Sequence, residues 1–203
     1  MIALAAVVCA PGLTDELARR AWWTDMTSEN ARRMLARACV VEGTMGKVLA
    51  DFLVEHLPFE TEARLIIDTV RLVLQPGLID ADARQKLWDK GAVQGSYRIG
   101  FLQADPDRLP QTFDARADLS AIAPTLSALA AGGNTLAGLL QRVLAAGGQG
   151  FLLTCEQVLQ KLSEQDAVVA LLNVLSGYFR GARLQDRFDR RLPQSLDGAE
   201  SVE

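Results

Sequence analysis

Apolar residues recur by threes and fours along most of the chain, the period of helices that each bury one face. From Ser28 to Leu57 these positions are Ala31, Met34, Leu35, Ala38, Val41, Met45, Val48, Leu49, Phe52 and Leu53. They predict one long helix, ended by Pro58 because a proline pushes the residue before it out of helical geometry. Arg33, Arg37, Lys47, Asp51 and Glu55 fall mainly on its other side, and Gly43 and Gly46 mark its weakest point. A shorter helix carrying Trp22 and Trp23 starts after Thr14, whose hydroxyl can cap it, with Asp15 and Glu16 at its positive end. Phe59, Ala63, Ile66, Val70, Val73 and Leu74 mark a third helix, stopped at Pro76-Gly77; Asp80 is placed to cap a fourth through Lys90.

The stretch from Gly91 to Arg116 reads least clearly. Tyr97, Ile99 and Phe101 alternate as in a strand, but no second strand pattern exists to pair with them, so a short helix or an extended packed segment is expected. Asp105 to Pro110 reads as a loop. Between Asp118 and Glu156 lie thirty-seven residues whose single charge is Arg142, punctuated by two copies of Leu-Ala-Ala-Gly-Gly at 129–133 and 144–148. The expectation is an apolar hairpin at the centre of the fold. Pro124 interrupts or restarts its first helix, Gly132-Gly133 ends it, Asn134 caps a helix over Thr135–Ala146, and Gly147-Gly148 ends that one in turn. A helix over Phe151–Ser163 follows, and then a last one, capped by Asp166 and running towards Leu192, where Pro193 stops it. The fifteen-residue shift of the repeat is too short for a helical solenoid unit, which needs about 34–47 residues.

The fold class is therefore all-α: a single helical domain over residues 1–193 with about seven or eight helices, and a disordered acidic tail over 194–203. With 203 residues, 49% apolar and 23% charged, the chain is long enough for a substantial core. A net charge of −4 lacks the basic face that nucleic-acid binding calls for. Cys9, Cys39 and Cys155 are odd in number and scattered, which suits a reducing compartment and small buried thiols rather than a disulfide framework. The apolar start, Met1 to Cys9, has no charge before Asp15 and is too short to span a bilayer, so neither a signal peptide nor an anchor is expected. Pro124 and the paired glycines also cut the apolar centre into pieces shorter than the ~20 residues of a membrane span. A bacterial, cytoplasmic protein is the expected setting.

Candidate chemistry is sparse. His56 is the one histidine, beside the Phe52 and Leu53 stripe, which leaves neither a two-histidine di-iron pattern nor a zinc His-Glu-x-x-His motif; it reads as a helix-end residue satisfied by a carbonyl. Glu42 to Lys47 imitates the end of a phosphate loop, but Val41 stands where the first glycine belongs and Val48 follows the lysine. The serines lack the Gly-x-Ser-x-Gly context of a hydrolase. Asp51, Glu55, Glu60, Glu62 and Asp68 fall on two consecutive helices, and paired acids can do acid–base work if one is desolvated; solvated helix faces explain them more simply. Asp80, Asp82, Asp105 and Asp107 lack calcium-loop spacing. No cofactor and no metal is expected.

What remains points to interaction. Leu136, Leu139, Leu140, Val143 and Leu144 surround more than half of the helix from Thr135, more than one buried stripe needs. Arg183, Arg187 and Arg190 belong to a locally basic end of the last helix that exceeds what capping requires. Leu136, Leu139, Leu140, Val143 and these three arginines are the candidate partner-binding residues. The expected function is a non-enzymatic interaction module (adaptor, assembly factor or chaperone-like accessory subunit) with a protein partner or a second copy of itself. The alternative is a helical module enclosing an apolar or lipid-like ligand; a small carboxylate enzyme comes third.

Overall fold

A computed structural model describes residues 7–161 and 164–182, and every regular element among them is helical. After a helical turn at 7–9 come α1 (Asp15–Thr24), α2 (Ser28–Leu35), α3 (Ala38–Val41), α4 (Met45–His56), α5 (Ala63–Val73), α6 (Ala81–Lys90) and α7 (Gly95–Ala104). Then follow α8 (Leu119–Ala131), α9 (Thr135–Leu144), α10 (Ala146–Leu159) and α11 (Gln165–Tyr178), with 3-10 turns at Leu57–Phe59 and Arg180–Ala182. Side-chain caps define four starts: Thr14 Oγ1 accepts from the Leu17 amide at 3.3 Å, Thr27 Oγ1 from Asn30 at 3.3 Å, Asp80 Oδ1 from Ala83 at 2.7 Å, and Asn134 Oδ1 from Ala137 at 3.1 Å. Asp166 is no cap; it lies in the first turn of α11, whose N-cap is Glu164.

The helices outnumber the seven or eight expected for two reasons. The segment 91–116 contains the regular helix α7, and the single helix expected over Ser28–Leu57 is three. Asp15 explains the second break. Its carboxylate accepts from Thr44 Oγ1 at 2.6 Å and from the amides of Thr44 and Met45 at 3.0 Å each, so a residue from α1 satisfies the exposed start of α4. Burial alone would raise the Asp15 pKa, but these hydrogen bonds outweigh it and hold the carboxyl below its usual range. A Cβ on Gly43 would lie 2.2 Å from Asp15 Oδ1, so glycine is what lets the carboxylate approach.

Two apolar clusters share one wall, the closely packed pair α5 and α7. Ile66, Val70 and Val73 of α5 join Tyr97 and Phe101 of α7 in a cluster with Met34, Leu35, Leu49, Leu53 and Trp88. The other sides of the same two helices, Ala63 and Ile67 with Ile99 and Leu102, meet Phe151, Cys155, Val158, Leu171 and Tyr178. Contact along this wall depends on Gly100: a Cβ there would sit 2.6 Å from Val70 Cβ and 3.0 Å from the Ile67 carbonyl.

The apolar stretch 119–155 is not the centre of the fold. Its C-terminal part, α10, enters the second cluster through Phe151 and Cys155, but α8 and α9 form a hairpin at the edge. Helix α8 packs chiefly on α9, and Leu126 is its one buried residue. Helix α9 meets α10 and the Arg180–Ala182 turn, and buries Ala137 and Leu139. Pro124 lies inside α8 without ending it.

The two Leu-Ala-Ala-Gly-Gly copies serve different ends. Gly133 has φ +88° and turns the hairpin. Gly147 and Gly148 instead lie inside the first turn of α10, after a 75° bend at Ala145. A Cβ on Gly147 would come within 2.4 Å of the Asp107 carbonyl, and one on Gly148 within 2.2 Å of the Arg142 carbonyl. Those glycines are needed for close approach and not as a helix stop.

Candidate functional site

Among the described residues the hairpin presents an unusually apolar surface. Ile122 and Leu129 on α8 are 38% and 49% exposed, and Leu136 and Leu140 on α9 are 49% and 42% exposed. Leu119, Ala123, Leu126 and Ala130 recur at helical spacing on α8, and all are at least partly buried. The Cβ of Ala130 lies 3.9 Å from where a Cβ on Gly138 would stand, and Gln141 Nε2 donates to Ser127 Oγ at 3.2 Å across the pair. From Leu119 to Gln141 there is no ionisable side chain. Isolated exposed apolar residues such as Trp23, Phe59 and Val93 are ordinary for a protein surface, whereas exposed leucines and an isoleucine on both helices of one charge-free hairpin are not.

Of the four candidate apolar residues, the structure separates two from two. Leu136 and Leu140 are exposed. Leu139 is 9% exposed and belongs to the second cluster, and Val143 is partly buried against the same cluster. Arg183, Arg187 and Arg190 lie outside the described residues.

A polar clamp holds the hairpin to the body. Arg142 donates from Nε to both Asp107 oxygens, at 3.0 and 2.9 Å, and its Nη2 lies 2.8 Å from Oδ2. The guanidinium also sits 3.9 Å over the Tyr178 ring, which stacks on Phe151 at 3.8 Å. The Tyr178 hydroxyl donates to Asp107 Oδ1 at 3.2 Å. Burial, with a further contribution from Asp107, pushes the Tyr178 pKa up to about 12. Two backbone-acceptor bonds add to the clamp: Arg116 N to Leu144 O at 3.0 Å, and Thr135 Oγ1 to Gly181 O at 3.2 Å. The single charge in the apolar stretch thus has a defined mechanical role.

No family model matches this chain, and no curated protein or solved structure is significantly similar to it.

A second candidate, invisible in the sequence, is a groove beside α11. Arg71, Gln103, Arg142, Asn173 and Tyr178 help line a cavity of about 470 Å³. A neighbouring one of about 420 Å³, with Arg64, Asp68 and Asp166, shares Gln103 and Asn173 with it. These residues come from α5, α7, α9 and α11, and no spacing along the chain could have linked them. The groove is open and polar-rimmed: Arg71 is paired to Asp68 at 2.5 Å and Arg142 to Asp107.

The remaining candidates have structural partners or no site geometry. His56 Nδ1 donates to the Phe52 carbonyl at 2.8 Å and the ring stacks on Phe52 at 3.8 Å. Glu60 meets Arg32 at 3.4 Å, while Asp51, Glu55 and Glu62 are exposed. Among the described residues no three His, Cys, Asp or Glu side chains are grouped as a metal ion would require. Cys155 is buried, and burial pushes its thiol up to about 12; Cys9 and Cys39, expected to be buried, are exposed. Cys39 still donates to the Leu13 carbonyl at 2.8 Å. Among the described residues no single helix is long and apolar enough to cross a membrane.

Proposed function

We propose that this protein is a non-enzymatic interaction module, an adaptor, assembly factor or chaperone-like accessory subunit, which presents the α8–α9 hairpin to a protein partner. One observation carries this reading: an apolar thirteen-residue helix, α8, buries only Leu126 and packs chiefly on one neighbour. Fully covering a side chain the size of leucine stabilises by about 1.5–3 kcal/mol; Ile122, Leu129, Leu136 and Leu140, 38–49% exposed, each retain roughly half of that or less as a driving force for association. Hairpin helices held to a body by the Arg142–Asp107–Tyr178 clamp present that face in a set orientation, which lowers the ordering cost of binding. A cytoplasmic setting goes with the proposal, and two exposed free thiols, Cys9 and Cys39, suit a reducing compartment.

The test is capture of partners from native cells with wild type and Leu140→Asp, each checked for helicity. Loss of specific partners in a folded Leu140→Asp protein supports the reading. An unchanged partner set overturns it.

The groove beside α11 supports a second reading, a helical module that binds a small ligand. Its polar rim of Arg71, Gln103 and Asn173 fits an amphipathic molecule better than the wholly apolar one suggested by hydropathy. Native mass spectrometry of the purified protein checks this: a retained small molecule lost on Asn173→Leu favours the second reading.

A further inference from the structure

Resting on the hairpin's role as the interaction surface, we infer that its partner is a second copy of this chain, joined hairpin to hairpin about a two-fold axis with the two hairpins antiparallel. Charge is the first argument. A face with no ionisable group from Leu119 to Gln141 is not selected by charge steering, and its match is another charge-free apolar face of the same length. The chain carries such a face itself, and a two-fold axis lets one patch serve both sides.

The ends of the hairpin supply the second argument. Beside its turn stands Arg180, exposed, in the segment whose Gly181 carbonyl accepts from Thr135. At its open end, where the Arg116 amide donates to the Leu144 carbonyl, stand Asp114, Arg116 and Asp118 beside the neutral Arg142–Asp107 pair, which together sum to one negative charge. Arg116 donates to both Asp118 oxygens, at 3.1 and 2.8 Å, leaving Asp114 as the excess acid. Antiparallel stacking therefore brings the positive end of each hairpin to the negative end of the other, whereas parallel stacking places like ends together.

Size is the third argument. Helices of thirteen and ten residues are about 20 and 15 Å long, and two side by side give a face about 18 Å wide. Two such faces form a four-helix arrangement. The face is smaller than the ~800 Å² per partner of a standard interface, so the dimer is reversible and dissociates on dilution.

Light scattering and sedimentation over a dilution series test this on the full chain, alongside a benzophenone photo-cross-linker at position 136. The expected result is a mass near twice 22.0 kDa at high concentration, falling on dilution, with copy-to-copy cross-links to α8 or α9. Leu140→Asp should keep its helicity and remain a monomer; if it unfolds, Leu136→Asp serves in its place. Arg180→Glu should weaken the dimer, and adding Asp114→Arg should restore it. A wild-type monomer at every concentration overturns the inference. So does a cross-link within one chain to residues 183–203, or one to a different protein only. That last outcome leaves the interaction reading standing, while absence of any cross-link, in vitro and in native cells, removes both.

Discussion

Leu139 and Leu140 are neighbours on α9 that face opposite environments: the first is 9% exposed and packs in the second cluster, the second is 42% exposed on the hairpin's outer face. A charge at the first must be buried or must force the hairpin off the body, while a charge at the second remains in water. Leu139→Asp should cost more than about 3 kcal/mol and unfold at least the α8–α11 region. Leu140→Asp should cost about 1–2 kcal/mol, from the part of the side chain already covered and the poorer helix propensity of aspartate, and should leave the protein folded. Urea denaturation followed by circular dichroism separates them, and equal losses would mean that both leucines are core.

Asp15 should act on a helix thirty residues away. Asp15→Ala removes the acceptor for Thr44 and Met45, and losing a cap of this kind costs about 1–2 kcal/mol. The pH dependence has a definite sign. A carboxyl held below its usual value stabilises the fold above the unfolded-state pKa, near 3.8, and that contribution is lost as pH falls through the lower folded value. Acid unfolding of Asp15→Ala should accordingly be less steep than that of the wild type.

Gly100→Ala should destabilise even though alanine is the better helix former by about 0.5–1 kcal/mol. The added methyl meets Val70 Cβ at 2.6 Å and the Ile67 carbonyl at 3.0 Å, an overpacking of the kind that costs about 1–3 kcal/mol. Gly12→Ala, where nothing lies within 4 Å, is the control and should be close to neutral. Thermal melts of the two variants decide it; equal midpoints would show that α5 and α7 can slide apart freely.

Both tyrosines of the chain should resist ionisation. Burial raises the pKa of Tyr97, and burial together with Asp107 takes Tyr178 to about 12. A group whose folded pKa is raised contributes stability below its unfolded pKa, about 10 for tyrosine, and loses it as pH rises towards the folded value. Ultraviolet titration should show less tyrosinate in the native protein at pH 10 to 11 than in the unfolded chain, with the remainder appearing together with unfolding. Tyr178→Phe keeps the stack on Phe151 and leaves Asp107 Oδ1 to Arg142 alone, and its stability should fall less steeply with rising pH than that of the wild type.

Helical class and most helix starts were legible in the chain because they depend on local chemistry. Thr14, Asp80 and Asn134 each cap with their own side chain, and Pro58, Pro76 and Gly133 stop or turn the backbone through their own geometry. The break before α4 was not legible: Gly43 marked a weak point, but the carboxylate that makes the break comes from Asp15 on another helix. Identical Leu-Ala-Ala-Gly-Gly segments became a turn and a helix start, since only the second lies against Asp107. The groove at Gln103 and Asn173 likewise joins helices far apart in sequence.

Hydropathy marked 119–155 as apolar and the helical period showed which residues share a face, but neither says what covers that face. Burial is area removed from water by a neighbour. Packing supplied neighbours for Phe151, Cys155 and Leu139 and none of that kind for Leu129, Leu136 and Leu140. The sequence thus determined that this stretch is helical and greasy; the tertiary structure alone decided which part became core and which became surface.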